Sequence, residues 1–290
     1  MTKFEDLWPQ AQSHTLLHRY KARLLHELME CACSMGHDVA ECGVFRGSMS
    51  LMMAMQIAGA ESQSPDMRLW SCDSFAGLPA GRSPAETCYY KTGDLVASRV
   101  DFEKLLLENG VRDRVVVCEG WFSETLSRLP QLGLAHVDCD VYESVRCCLD
   151  VLYEKLVPGG ILVVDDYYDL GGGAQQALDE LLARTHDVLY VGPIEQVVVV
   201  KGRLPSVPPE SYVGWRPSPP FLRRGVRGGI DYTLVARDEE YLRDLASGSA
   251  LPDFPGRSLR EAAKLARRTL DVCEHHEAVR ELYLQLFETR

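Results

Sequence analysis

The chain has 290 residues, 46% of them hydrophobic, which is enough to bury one large core without disulfide staples. A formal net charge of −11 repels a phosphate backbone, and the short basic cluster Arg223-Arg224 with Arg227 does not reverse it, which argues against a nucleic-acid partner. No run reaches the ~18 apolar residues of a bilayer-crossing helix, and Met1-Thr2-Lys3-Phe4-Glu5-Asp6 lacks the basic-then-apolar order of a signal peptide, so a cytoplasmic protein without a membrane partner is expected.

Leu16, Leu17, Tyr20, Leu24, Leu25 and Leu28 recur at helical spacing and predict a leading amphipathic helix over 15–35. Short apolar runs follow: Val39 to Val44, Arg68 to Ser71, Val115 to Cys118, Ala135 to Val137, Ile161 to Val164, and Val188 with Val197 to Val200. Helical stretches separate most of them, and this alternation predicts a doubly wound α/β core whose mostly parallel sheet is covered on both faces.

The regularity stops near Gly202. Of fifteen prolines, eight lie between Arg203 and Pro255, at 205, 208, 209, 217, 219, 220, 252 and 255, too many for continued helix or central strand. That segment reads as an extended arm or linker. Ser258-Leu259-Arg260-Glu261 then has capping-box spacing and opens a helical pattern towards Phe287. Residues 1–202 are thus expected to form the catalytic domain, and 203–290 an extension of arm and helix. Its aromatics Tyr212, Trp215, Phe221 and Tyr232 suit an acceptor wall. Val279, Leu282, Leu284 and Phe287 predict that the terminal helix packs on the core or on another subunit, giving a homo-oligomer.

The first strand runs into Glu41-Cys42-Gly43-Val44-Phe45-Arg46-Gly47, an acid followed by glycines four apart at a strand-to-helix turn. Gly43 and Gly47 allow the backbone to pass close to a ligand, although an ordinary tight βα turn uses the same residues. The three glycines of a pyrophosphate fingerprint are missing, so a nucleoside without phosphates fits better. Adenosylmethionine, with its ammonium and sulfonium, suits an acidic loop. The second strand closes with Asp73-Ser74, which puts a carboxylate where it can accept from a ribose diol. Gly120-Trp121 after the third run offers an aromatic face for an adenine, or else Trp121 and Phe122 are simply core.

Asp138-Cys139-Asp140 follows the fourth run, and Asp165-Asp166 the fifth. Both lie at carboxyl ends of predicted strands, the edge where open α/β sheets bind ligands, and their mutual repulsion calls for a cation. Carboxylate oxygens select hard ions, Mg²⁺ first, with Mn²⁺ or Ca²⁺ as substitutes. Asp138, Asp165 and Asp166 are the expected ligands. Asp140, two residues on and on the same side of an extended segment, is the candidate general base for a substrate hydroxyl. Helix capping and turn formation are the bland roles of the same aspartates.

Of the ten cysteines, none forms a C-x-x-C zinc pair, and reduced, mostly buried thiols are expected, with Cys139 set apart inside the acidic motif. His14 and His18 have i,i+4 spacing but no third ligand nearby, which favours a solvated helix face; His275-His276 cannot share a metal. His136 reads as a satisfied core histidine.

Five stretches together resemble the macrocin O-methyltransferase family of antibiotic-tailoring enzymes. They are Ala40 to Gly47, Asp73-Ser74-Phe75-Ala76-Gly77-Leu78-Pro79, Gly120-Trp121-Phe122-Ser123-Glu124-Thr125-Leu126, Asp138-Cys139-Asp140-Val141-Tyr142-Glu143-Ser144, and Pro158-Gly159-Gly160 with Asp165-Asp166-Tyr167. The resemblance spans roughly 38–202. It implies a Rossmann-like class I fold and Mg²⁺-dependent methylation, by S-adenosylmethionine, of deoxysugar hydroxyls on natural products. It also implies metal at Asp138, Asp165 and Asp166, a base at Asp140, and cofactor contacts at Glu41, Gly43, Asp73 and Trp121. Phe45, Cys139 and Val145 depart from the family's Trp, Gly and Thr, and nothing from Arg203 onward matches it. Two other classes share these features. A NAD or nucleotide-sugar enzyme should carry a fuller glycine set, and a non-catalytic protein would hold a structural ion and dock partners through its arm.

Overall fold

The β-branched and small apolar runs form strands because such side chains pack well on a covered sheet, and over 132–137 and 197–200 every residue is buried. In the computed structural model the described residues are 2–60, 65–82, 90–167, 173–185, 187, 189–191, 196–202, 223–227 and 230–234. The strands are β1 (Asp38–Cys42), β2 (Leu69–Asp73), β3 (Val115–Glu119), β4 (Leu132–Val137), β5 (Leu156–Val164), β6 (Leu189–Val191), β7 (Val197–Val200), β8 (Arg223–Arg227) and β9 (Ile230–Leu234). Their order in one sheet is β3-β2-β1-β4-β5-β7-β6-β9-β8. The first five are parallel, and β7 runs antiparallel to both β5 and β6. This is the expected doubly wound α/β core, with the strand order reversing between β1 and β4.

Alternation along each strand divides the core. Val39, Leu69, Val115, Leu134 and Ile161 face α1 (Phe4–Ala11), α2 (Arg19–Met35), α3 (Ser48–Gly59) and α4 (Arg99–Glu108). Ala40, Cys72, Cys118, Ala135 and Leu162 face α6 (Tyr142–Lys155) and α7 (Ala174–Thr185); a one-turn helix, α5, spans Phe122–Thr125.

The leading helix begins at Arg19, four residues later than its apolar pattern. His18 takes the N-cap, and its Nδ1 accepts from the Tyr20 N–H at 3.3 Å. Gly36 ends the helix in the left-handed conformation. The short helix α1 before it was not anticipated. From Arg203 on, strands β8 and β9 occupy the proline-free interval between Pro220 and Pro252 and extend the sheet at its edge, so part of the expected arm is sheet. Tyr212, Trp215, Phe221 and the helical pattern from Ser258 lie outside the described residues. Among the described residues, no helix is long and apolar enough to cross a membrane.

Candidate active site

Five strands, β3-β2-β1-β4-β5, end side by side, and the ladders between them continue for one residue into the loops. Gly43 N–H donates to Cys72 O, Gly120 N–H to Asp73 O, Asp138 N–H to Cys42 O, and Asp165 N–H to Val137 O, all at 2.9–3.1 Å. These loops surround one cavity of about 340 Å³, within the ~300–1,000 Å³ usual for small-molecule sites. Glu41, Gly43, Asp73, Ser74, Gly120, Trp121, Asp138, Asp140 and Asp166 all line it. Asp165 is buried directly beneath, and Gly47 caps α3 just behind.

Strain concentrates here. Among the described residues, five other than glycine have positive φ, and four of them, Phe45, Leu95, Asp140 and Asp166, line the cavity. Asp140 is therefore not on an extended segment. Its φ of 58° and a tight Val141 N–H to Cys139 O bond of 2.7 Å turn the chain so that Asp138 and Asp140 border the same space.

The glycines have a packing reason. A Cβ on Gly43, whose φ is 91°, would lie 1.8 Å from the Asp138 carbonyl oxygen, and one on Gly47 would lie 2.2 Å from the Phe102 ring. Gly43 thus lets β1 and the aspartate loop after β4 touch. Asp73 stiffens the same turn: Val44 and Phe45 N–H donate to its Oδ2 at 2.7 and 2.9 Å, and Phe75 N–H to its Oδ1 at 2.7 Å. With about four acceptor positions per carboxylate, this leaves room for one ligand hydroxyl rather than both of a diol.

A row of buried polar groups crosses the sheet on the α2–α3 face. Cross-strand register aligns Ser71, Glu41 and His136. Ser50 of α3 bonds Glu41 and lies 2.7 Å from Ser71 Oγ. His136 Nδ1 lies 3.6 Å from Glu41 Oε1, an ionic contact longer than a hydrogen bond, and His136 Nε2 is 2.7 Å from Asp165 Oδ2. Gln196 Nε2 donates to Asp165 Oδ1 at 3.0 Å. Lys21, from the first turn of α2, reaches Asp166 Oδ1 at 3.0 Å and Asp165 Oδ1 at 3.4 Å.

These neighbours set the charges. Burial alone would push the His136 imidazole down, but Asp165 and Glu41 outweigh it and hold His136 up at about 10. Burial works against an ionised Asp165, yet Lys21 and His136 override it and keep its carboxyl below the usual range. Glu41 is pushed up, chiefly by burial. Asp138 is pushed well up, first by burial and then by Asp165, Asp166 and Asp140. Asp138 as a residue is half-buried, but its carboxylate is crowded by three others, and among the described residues no hydrogen bond or ion pair reaches it.

An oxygen-rich corner in which one carboxylate makes no ion pair among the described residues is the donor set a hard divalent cation takes. His136, Asp138 and Asp165 each present an atom within 4.8 Å of the others, and His136 Nε2 is already engaged with Asp165, which leaves the carboxylate oxygens as the hard donors of the corner. The cavity's predominance of acids likewise suits a cationic nucleoside such as adenosylmethionine.

Several lining residues escaped the sequence reading. His14 to His18 form one wall, and His18 is buried and stacked on Tyr20 at 5.1 Å, not part of a solvated helix face. Its capping position was readable, since α2 starts one residue later. Lys21, Ser50 and Gln196 carry no motif, and only the fold brings them to the acids. Trp121 is 43% exposed at the cavity, and Phe122, half-buried, borders the same cavity while packing on the core.

The tetracenomycin 4'-O-methyltransferase of Streptomyces olivaceus that acts on the 8-demethyl-8-(2,3-dimethoxy-alpha-L-rhamnosyl) form is 29% identical over 174 residues, covering 55% of this chain and 64% of the relative. Demethyldecarbamoylnovobiocin O-methyltransferase of Streptomyces niveus is 28% identical, covering 61% of this chain and 70% of the relative. The chain thus spans about two thirds of the length of these relatives. Among solved structures, the O-methyltransferase NovP superposes with a TM-score of 0.59 at 26% identity, covering 66% of this chain and 83% of that one. The calicheamicin methyltransferase CalS11, at 21% identity and a TM-score of 0.54 over 62% of this chain and 78% of that one, shares the fold. The sequence profile of the macrocin O-methyltransferase family (TylF) matches residues 3–191, well over half of the chain, and the chain belongs to that family.

Proposed function

We propose that this chain transfers the methyl group of S-adenosyl-L-methionine to a hydroxyl of a sugar-bearing or polyketide-type natural product, with a divalent cation, Mg²⁺ first, at Asp138, Asp165 and Asp166. The observation that carries it is the meeting of Asp138, Asp140 and Asp166 with the glycine turn of β1 and with Asp73 on one cavity, across the point where the strand order reverses. The relatives' own names, all O-methyltransferases of natural products, support the reaction and the acceptor class.

When bound, adenosylmethionine would supply an electrophilic methyl, and a divalent ion held by Asp138, Asp165 and Asp166 would acidify the acceptor hydroxyl. The chain's residues do the rest. Asp73 braces the turn between β1 and α3 and offers its remaining acceptor position to the donor's ribose. Trp121 presents an aromatic face, and Glu41 adds negative charge behind the glycine turn. Asp140 would take the proton of the acceptor hydroxyl. His136 and Gln196 fix the rotamer of Asp165 so that it points at the corner it shares with Asp138.

The test pairs calorimetric titration with adenosylmethionine and methyl transfer to a panel of glycosylated acceptors, before and after exhaustive chelation. Donor binding with transfer lost on chelation and restored by Mg²⁺ is expected. Undiminished transfer in chelator would remove the metal from the mechanism, and no donor binding would remove the methyltransferase assignment.

A further inference from the structure

Two aspartates adjacent in sequence, one buried and one half-buried, should not sit together uncompensated, and a cation supplied by the chain is already there. The Lys21 ammonium is 3.0 Å from Asp166 and 3.4 Å from Asp165, and its side chain is 7% exposed. It comes from α2, 145 residues away in sequence from Asp166, so no local turn dictates the contact. Asp138, the third member of the corner, makes no ion pair with Lys21 among the described residues, although the ammonium's charge still acts on it.

We propose that Lys21 is the resident counter-cation of the Asp165–Asp166 pair. It holds the two carboxylates together when no divalent ion is bound, and it sets the affinity of the site by competing with that ion. The competition half rests on the metal reading above. A dication sharing these oxygens with an ammonium meets like-charge repulsion unless the ammonium withdraws, so Lys21 weakens metal binding while stabilising the metal-free protein. Lys21 itself lines the cavity, beside the wall formed by 14–18, so its exchange with a metal would take place at the cavity surface.

The experiment compares wild type, Lys21→Met and Lys21→Arg by thermal unfolding in chelator and by calorimetric titration with Mg²⁺. In chelator, Lys21→Met is expected to melt several degrees lower and Lys21→Arg to stay near wild type. With Mg²⁺, Lys21→Met should bind about tenfold more tightly or better, and should gain more in melting temperature than wild type does. Equal melting of Lys21→Met and wild type in chelator overturns the counter-cation role. Equal or weaker Mg²⁺ binding by Lys21→Met overturns the competition. If none of the three proteins binds Mg²⁺, the metal reading fails and competition with it, while the chelator comparison alone decides the counter-cation role. Should Lys21→Met not fold, the Lys21→Met/Asp166→Asn double variant is decisive. Recovery of a folded protein supports the pairing, and a double variant as unstable as the single one overturns it.

Discussion

His136 shows how a residue with an ordinary structural role can govern a site. It is the only described group touching both Glu41, beside the glycine turn, and Asp165, in the aspartate corner. Replacing it by Leu leaves two buried carboxyls short of their cationic partner, which should cost about 3–5 kcal/mol of stability, readable by denaturant unfolding. The pH dependence has a definite sign. An imidazole held up at about 10 when folded, against 6.5 ordinarily, contributes fully below the unfolded value and loses its contribution as pH rises towards 10. The stability gap between wild type and His136→Leu should therefore be widest in mild acid and close progressively in alkali; a gap that widens with pH would mean that His136 is neutral in the fold. Asp140 is the residue proposed for the chemistry instead. Asp140→Asn keeps the shape of the turn and removes only the proton acceptor, so kcat should drop by about 10²-fold or more with donor affinity retained. Near-normal turnover would assign proton removal to another group.

The turn between β1 and α3 is the element on which the site depends, because it must lie against the loop after β4. Gly43→Ala puts a Cβ against the Asp138 carbonyl oxygen at a backbone angle that L-residues avoid. The strain alone is about 1–3 kcal/mol, and the clash must also displace the aspartate loop. A lowered melting temperature together with weakened Mg²⁺ binding is expected, and a stable variant with wild-type metal affinity would show that the two loops are independent. Elements of this kind were largely legible in the sequence. Runs such as Val115 to Cys118 and Ile161 to Val164 could only be strands, and their acidic ends marked the sheet edge that binds ligands. Helix α1 was readable but unread: Phe4, Leu7, Trp8 and Ala11 have helical spacing and are buried, but the segment is eight residues long and contains Pro9. What the sequence withheld was register. Ser71, Glu41 and His136 occupy single positions in three strands, and nothing local says that they lie in one row. The contact from Lys21 to Asp166 is of the same kind, made by packing a helix across a sheet.

At the scale of the whole molecule, charge and cavity reinforce each other. The chain carries a net charge of −11, and its cavity is lined by Glu41, Asp73, Asp138, Asp140 and Asp166 against one lysine among the described residues. A field of this sign attracts a cationic ligand over distances of a Debye length and disfavours anionic ones. Adenosylmethionine carries an ammonium, a sulfonium and a carboxylate, and its demethylated product lacks the sulfonium charge, so the two differ by one positive charge on nearly the same skeleton. Donor and product should thus respond differently to salt. Raising NaCl from about 10 mM to about 500 mM shortens the screening length from ~30 Å to a few ångströms and should weaken donor binding several-fold while leaving product binding less affected. The excess of the donor's salt dependence over the product's measures the attraction of the acidic cavity for the sulfonium, separately from hydrogen bonds common to both. Because that attraction disappears when the methyl group leaves, the same field favours release of the product over the donor after transfer. Calorimetric titration of both ligands at the two salt concentrations, in chelator so that no divalent ion alters the charge of the corner, decides the matter. Parallel salt dependences for donor and product would show that the acids around the cavity act on the acceptor side alone.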